Sequence, residues 1–185
     1  MKPEKDTPES LEAEEQVHPL EVMLQAYEAM EITFQEDDGT IFTRLNLKNL
    51  EAHVISWGEP NDLSTIVVRL PVRAAPEFRA KAGEFLHRLN FNARRKFWEI
   101  DYNDGEIRLA AYTDTLTGPL TAELFRQFLH CLVMNADIVF PYLTNVLSGS
   151  MTPEFADDQA EAALSAYWNQ SDRSESSEED PQEDN

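Results

Sequence analysis

The chain of 185 residues contains a single cysteine, Cys131. One thiol makes neither an internal disulfide framework nor a cysteine-based zinc site, so a reducing, cytoplasmic setting is expected. Positive charge is also scarce, with 15 basic against 35 acidic side chains and a formal net charge of -20. Such a molecule repels phosphate backbones and anionic lipid surfaces, and neither nucleic acid nor membrane is expected as a partner. No apolar run approaches the roughly 18 residues of a membrane span. Residues 1–16 are acidic where an export signal is basic and then apolar, so neither export nor insertion is expected. The six glycines are dispersed, and none begins a phosphate-binding fingerprint.

What is present is enough for one folded domain, since 42% of the residues are hydrophobic. The acids gather at the ends: residues 1–16 hold six acids and two lysines, and residues 171–185 hold seven acids and one arginine. Segments so poor in apolar area do not offset their ordering entropy, and both are expected to be disordered tails.

Between them, Pro19 opens an amphipathic helix carrying Leu20, Met23, Leu24, Tyr27 and Met30. Four β-rich runs follow, at 32–35, 40–47, 50–57 and 64–72. Asp38-Gly39 supplies the positive φ angles of a tight hairpin turn. The alternation of Ile41, Thr43, Leu45 and Leu47 suits a sheet with one buried face. Pro76 opens a second helix with Phe78, Ala82, Phe85, Leu86 and Leu89 along one side. Two further strands, 96–102 and 106–113, flank Asp104-Gly105. Thr121 is placed to cap a third helix, which Pro141 is expected to kink or to end in its first part. Gly149 stops it, and Thr152-Pro153 restarts a last amphipathic helix over 151–170, with Phe155, Gln159, Ala163, Tyr167 and Trp168 along one side.

Three stretches carry a family resemblance. They are Phe85-Leu86-His87-Arg88-Leu89-Asn90-Phe91-Asn92, then Phe97-Trp98-Glu99-Ile100-Asp101 leading into Asp104-Gly105-Glu106-Ile107-Arg108, and the segment from Asp137 to Gly149 containing Pro141-Tyr142-Leu143. With the order helix, meander, helix, hairpin, helix, the chain from about Leu20 to Gly149 resembles the YbjN family of bacterial proteins. The resemblance implies an α+β two-layer sandwich, an antiparallel sheet of five or six strands packed by helices, similar to type III secretion chaperones. Those chaperones are small acidic proteins that dimerise and hold client segments. The family also bears the label of sensory transduction regulator, and no catalytic motif comes with it. The expected organisation is a tail over 1–16, a YbjN-like domain over 17–150, the helix over 151–170 and a tail over 171–185.

Chemical motifs are weak. Asp101-Tyr102-Asn103-Asp104-Gly105-Glu106 suggests a calcium loop, but its glycine falls at position five where an EF-hand needs it at six, and a hairpin turn explains it. His18, His53, His87 and His130 are scattered without metal-ligand spacing. Ser148-Gly149-Ser150 is a helix terminator rather than a nucleophile turn. Arg94-Arg95-Lys96 beside Phe97-Trp98 has the composition of a base-stacking site, yet in so acidic a chain the cations more simply complement a helix end.

The expected function is therefore a non-catalytic protein-binding module, chaperone-like or an adaptor, that holds a segment of a partner protein on an apolar surface and forms a homodimer. No cofactor or metal is expected. The candidate interface residues are Trp57, Trp98, Phe155, Tyr167 and Trp168, large aromatics of the kind that anchor interfaces. The alternative is a sensor with a small molecule between sheet and helices. An enzyme would require acids such as Asp101, Asp104 and Asp137 to converge.

Overall fold

A computed structural model describes residues 17–60, 62–91, 93, 96–114 and 118–176. The acidic segment 1–16 and the last residues, 177–185, lie outside the described residues.

Helix α1 (Pro19–Ala29) starts at His18, whose ring Nδ1 accepts from the Leu20 N–H at 3.2 Å. With Pro19 at the first position, two of the orphan donors of the helix start are dealt with. Strands β1 (Phe34–Asp37) and β2 (Thr40–Asn46) meet at Asp38-Gly39, where φ is 47° and 74°. Two successive positive φ angles make the hairpin turn that the dipeptide predicts. Strands β3 (Glu51–Trp57) and β4 (Leu63–Arg73) complete the meander.

A 3-10 turn at Pro76–Phe78 leads into α2 (Arg79–Phe91). Strands β5 (Lys96–Ile100) and β6 (Glu106–Asp114) form the second hairpin. All six strands join one antiparallel sheet in the order β1-β2-β3-β4-β6-β5. The fold is thus the expected α+β architecture of helices on an antiparallel sheet.

Helix α3 (Ala122–Leu147) is capped by Thr121, which accepts from the Leu124 N–H at 3.1 Å. It is one helix through Pro141, so of the two outcomes expected of this proline, a kink or an end to the first part, the end does not occur. Pro141 has no N–H to give the carbonyl four residues back, that of Asp137. The Asn49 side chain, in the β2–β3 turn, donates to that carbonyl instead, at 3.0 Å. A turn from the sheet thus supplies the donor that the helix lacks at this carbonyl.

The last helix, α4 (Pro153–Ser176), packs on α2 and α3 of its own chain. Among its described side chains Pro153, Ala156 and Ala160 are buried; of the expected stripe Phe155 and Gln159 are exposed, while Ala163, Tyr167 and Trp168 are half-buried. Alanines permit the close approach of helices that a Phe155 face would prevent. The helix also runs to Ser176, six residues into the segment expected to be disordered, because extending a docked helix adds a hydrogen bond for each residue fixed.

The core lies between one sheet face and the helices. Met23 and Tyr27 from α1, Ile41 and Val54 from the sheet, Phe85 from α2, and Phe125 and Leu132 from α3 are all buried there. Tyr27 meets Phe125 edge-on at 5.2 Å, and its hydroxyl bonds to Ser56 Oγ at 2.9 Å. Burial pushes the Tyr27 phenol up to about 12.

Candidate functional site

Strand alternation assigns each residue a face. Ile41, Val54, Val68, Leu109 and Trp98 point to the helices, so the opposite face carries Phe42, Ile55, Val67, Ala110 and Phe97. Those five form one cross-strand row, since Phe42 pairs with Ile55, Ile55 with Val67, Val67 with Ala110 and Ala110 with Phe97. Beside it runs Thr40, Trp57, Thr65 and Tyr112, also in register. On the other side runs Arg44, His53, Arg69, Arg108 and Glu99.

The core cluster shared with the helices includes neither Val67 nor Ala110, and among the described residues no helix packs on this second face. Its centre is nevertheless closely packed, with Val67 only 4% exposed and Ala110 0%. Its margins are not: Phe42 is 42% exposed, Phe97 45% and Trp57 38%. Phe97 and Tyr112 lean together with ring centres 6.2 Å apart. An apolar row with exposed aromatics around it is the kind of surface that marks a contact with another molecule. At the β1 end lies an open groove of about 660 Å³, with Phe42 and Ile55 among its lining and Gln35, Arg44, His53 and Arg69 around them.

Several charges on this face are paired. Arg108 donates to Glu99 at 2.5 Å, and the Tyr112 hydroxyl donates to the other oxygen at 2.9 Å. Arg69 is bonded to Glu106, and His53 Nε2 lies 3.2 Å from Glu51. The guanidinium of Arg108 is held above its usual range chiefly by the hydrogen bond to Glu99.

The two sheet edges differ. On β5, Asn90 of α2 accepts from the Trp98 N–H at 2.7 Å and donates to the Trp98 carbonyl at 2.8 Å. One carboxamide thereby occupies both outward groups at the strand's centre, which closes that edge to strand addition. Strand β1 is short and presents Glu36 and Asp37, both exposed.

Of the five candidate interface residues, Trp57 lies on the open face. Trp98 does not belong to any interface within reach of solvent, because register with Leu109 turns it into the core at 5% exposure. Tyr167 and Trp168 are half-buried and packed against His130 of α3, with centroids at 6.5 and 5.9 Å, which ties the last helix to its own domain. Phe155 is 52% exposed on α4, apart from the sheet.

The acids named for a possible enzyme are each engaged locally. Asp101 accepts from the Asn103 backbone N–H at 2.7 Å, and Asp104 bonds to Arg73 and to the Glu106 N–H. Those two acids hold the β5–β6 turn, and the hydrogen bond from the Glu106 backbone N–H, followed by that from the Arg73 side chain, keeps the Asp104 carboxyl below its usual range. Asp137 is buried and accepts from the Asn49 backbone at 2.6 Å and from its side chain at 3.2 Å. Among the described residues, no group of three His, Cys, Asp or Glu side chains is placed to hold a metal ion. No described helix is long and apolar enough to cross a membrane. Of the cluster Arg94-Arg95-Lys96, the two arginines lie outside the described residues. The Lys96 ammonium turns inward to Asn135 Oδ1 at 2.5 Å, and burial lowers its pKa.

The open-face row was not anticipated. Its signal was the apolar run of Ile66-Val67-Val68 and Leu109-Ala110-Ala111 in the central strands, which leaves no polar side for water. The crystal structure of YbjN from E. coli, described as a candidate transcription regulator, superimposes with a TM-score of 0.51. The match covers 73% of this chain and 94% of YbjN. The fold is YbjN-like. Sequence identity over that match is 14%, so the likeness concerns the backbone arrangement and not the open-face side chains. No family model matches the chain, and no curated protein matches it either.

Proposed function

We propose that the protein is a non-catalytic binding module that docks a segment of a partner protein on the open face of its sheet. The observation that carries this reading is the in-register row Phe42, Ile55, Val67, Ala110 and Phe97 with Trp57 beside it, left bare by helices that gather on the other face. Burying exposed aromatics against a partner is the usual source of binding energy at an interface. The partner segment lies across the row and covers Trp57, Phe42 and Phe97, while the acidic remainder of the chain discourages nonspecific association. The space between sheet and helices, where a sensor would hold its ligand, is filled by core side chains such as Tyr27, Phe85 and Phe125.

A photo-crosslinking residue placed at Phe42 in the native host tests this, with one at Phe155 as the control. One defined protein adduct is expected from position 42, lost when Trp57→Ala is added and absent from position 155. Equal or absent protein adducts at both positions would refute the reading.

A further inference from the structure

Among the described residues, one arginine of the open face stands without an acid partner. Arg69 is bonded to Glu106, Arg108 to Glu99, and Arg73 to Asp104. Arg44, which with Phe42 and Thr43 lines the groove's β2 side, has no carboxylate within ion-pair distance among the described residues. In register its neighbour is His53, and the next is Arg69. Along that row His53 lies beside Glu51, Arg69 is bonded to Glu106 and Arg108 to Glu99, so Arg44 is the member whose side chain has no acid beside it among the described residues.

The cation lines the same groove as Phe42 and Ile55. We propose that the groove takes a partner segment presenting an apolar side chain with a carboxylate beside it, the apolar group on Phe42 and Ile55 and the carboxylate on Arg44. This rests on the docking reading above and names the chemistry of its occupant. The formal charge of -20 does not prevent it, because at physiological salt charges beyond about 8 Å are largely screened and the nearest ones decide. A guanidinium also matches a carboxylate's two oxygens in a planar fork. The occupant is a chain segment and not a metabolite because the apolar row continues from the groove to Phe97. Four strand spacings make that roughly 19 Å, the length of about six extended residues.

The probe is a short fluorescein-labelled peptide alternating leucine and aspartate, compared with the same peptide carrying lysine for aspartate, in anisotropy titrations against the full chain at physiological salt. The aspartate peptide is expected to bind at least about tenfold more tightly, with Arg44→Gln removing the preference and Arg44→Glu reversing it. Equal binding of the two peptides, or a preference that Arg44→Glu leaves unchanged, overturns the inference. If Trp57→Ala then weakens both peptides alike, docking on the face stands and only its charge selectivity fails. If neither peptide binds, the inference fails. Sedimentation that shows a dimer dissociated by Trp57→Ala assigns the face to a second copy and overturns it too. Binding of decanoate without binding of either peptide does the same in favour of a small carboxylate.

Discussion

Replacing Asn49 by alanine removes two donors from Asp137, one to its backbone carbonyl at 3.0 Å and one to its carboxylate at 3.2 Å. The Asn49 backbone N–H stays on the other carboxylate oxygen at 2.6 Å. A hydrogen bond to a charged group contributes about 1.5–3 kcal/mol, and an orphaned buried carbonyl costs about 1–3 kcal/mol. Asn49 itself is exposed, so water re-enters and recovers part of this. The expected loss is about 1–3 kcal/mol, a sizeable part of a typical stability of about 5–15 kcal/mol. The carbonyl's share is separable, because it is orphaned only by the ring of Pro141. In a Pro141→Ala background the restored N–H closes the helical bond, and Asn49→Ala should then cost about 1 kcal/mol less. Urea denaturation of the four variants, followed by far-ultraviolet circular dichroism, gives the double-mutant cycle. A coupling within the additivity error of about 0.3–0.5 kcal/mol would refute the account of how α3 passes Pro141.

Two further perturbations follow from the same structure. Asn90→Ala leaves both outward groups of Trp98 unmatched and opens the β5 edge. It should cost about 1–3 kcal/mol and raise light scattering with protein concentration; an unchanged scattering profile would count against the edge-closing role. The Tyr27 phenol is raised to about 12 by burial, so the folded state keeps a proton that the unfolded chain gives up near its ordinary value of 10.0. Its contribution is whole below pH 10 and is lost as pH rises toward 12, with up to about 2–3 kcal/mol at stake. Tyr27→Phe should flatten that part of the stability profile in urea melts between pH 9 and 12, and an unaltered slope would exclude Tyr27 as its source.

Much of the fold was legible because local signals agreed with the global arrangement. Asp38-Gly39 and Asp104-Gly105 marked both hairpins, Thr121 marked the start of α3, and the alternation from Ile41 to Leu45 marked the buried face. Pro141 misled because its remedy, Asn49, lies 88 residues away in the chain. The α4 stripe was misplaced because large aromatics draw attention that Ala156 and Ala160 do not, although close helix packing favours the small residue. Trp98 was an interface candidate by residue type, and strand register alone decided against it.

The stretches that carry the family resemblance turn out to hold the fold together. Asn90 closes the β5 edge, Asp101 and Asp104 hold the β5–β6 turn, and Asp137 receives the β2–β3 turn. Gly105, at φ 80°, leaves room for the Ala74 backbone, where a Cβ would collide with the carbonyl oxygen. A likeness built on such residues identifies an architecture without identifying what it binds. The open face is constrained differently. Phe42, Trp57 and Arg44 point away from the core, and their side chains make no hydrogen bond that closes a turn or caps a helix. Exchanging them for other surface residues should change folding stability by little, about 0.5 kcal/mol or less each. Residues on this face can therefore change without disturbing the fold beneath it, which fits a chain that shares a YbjN-like backbone at 14% sequence identity.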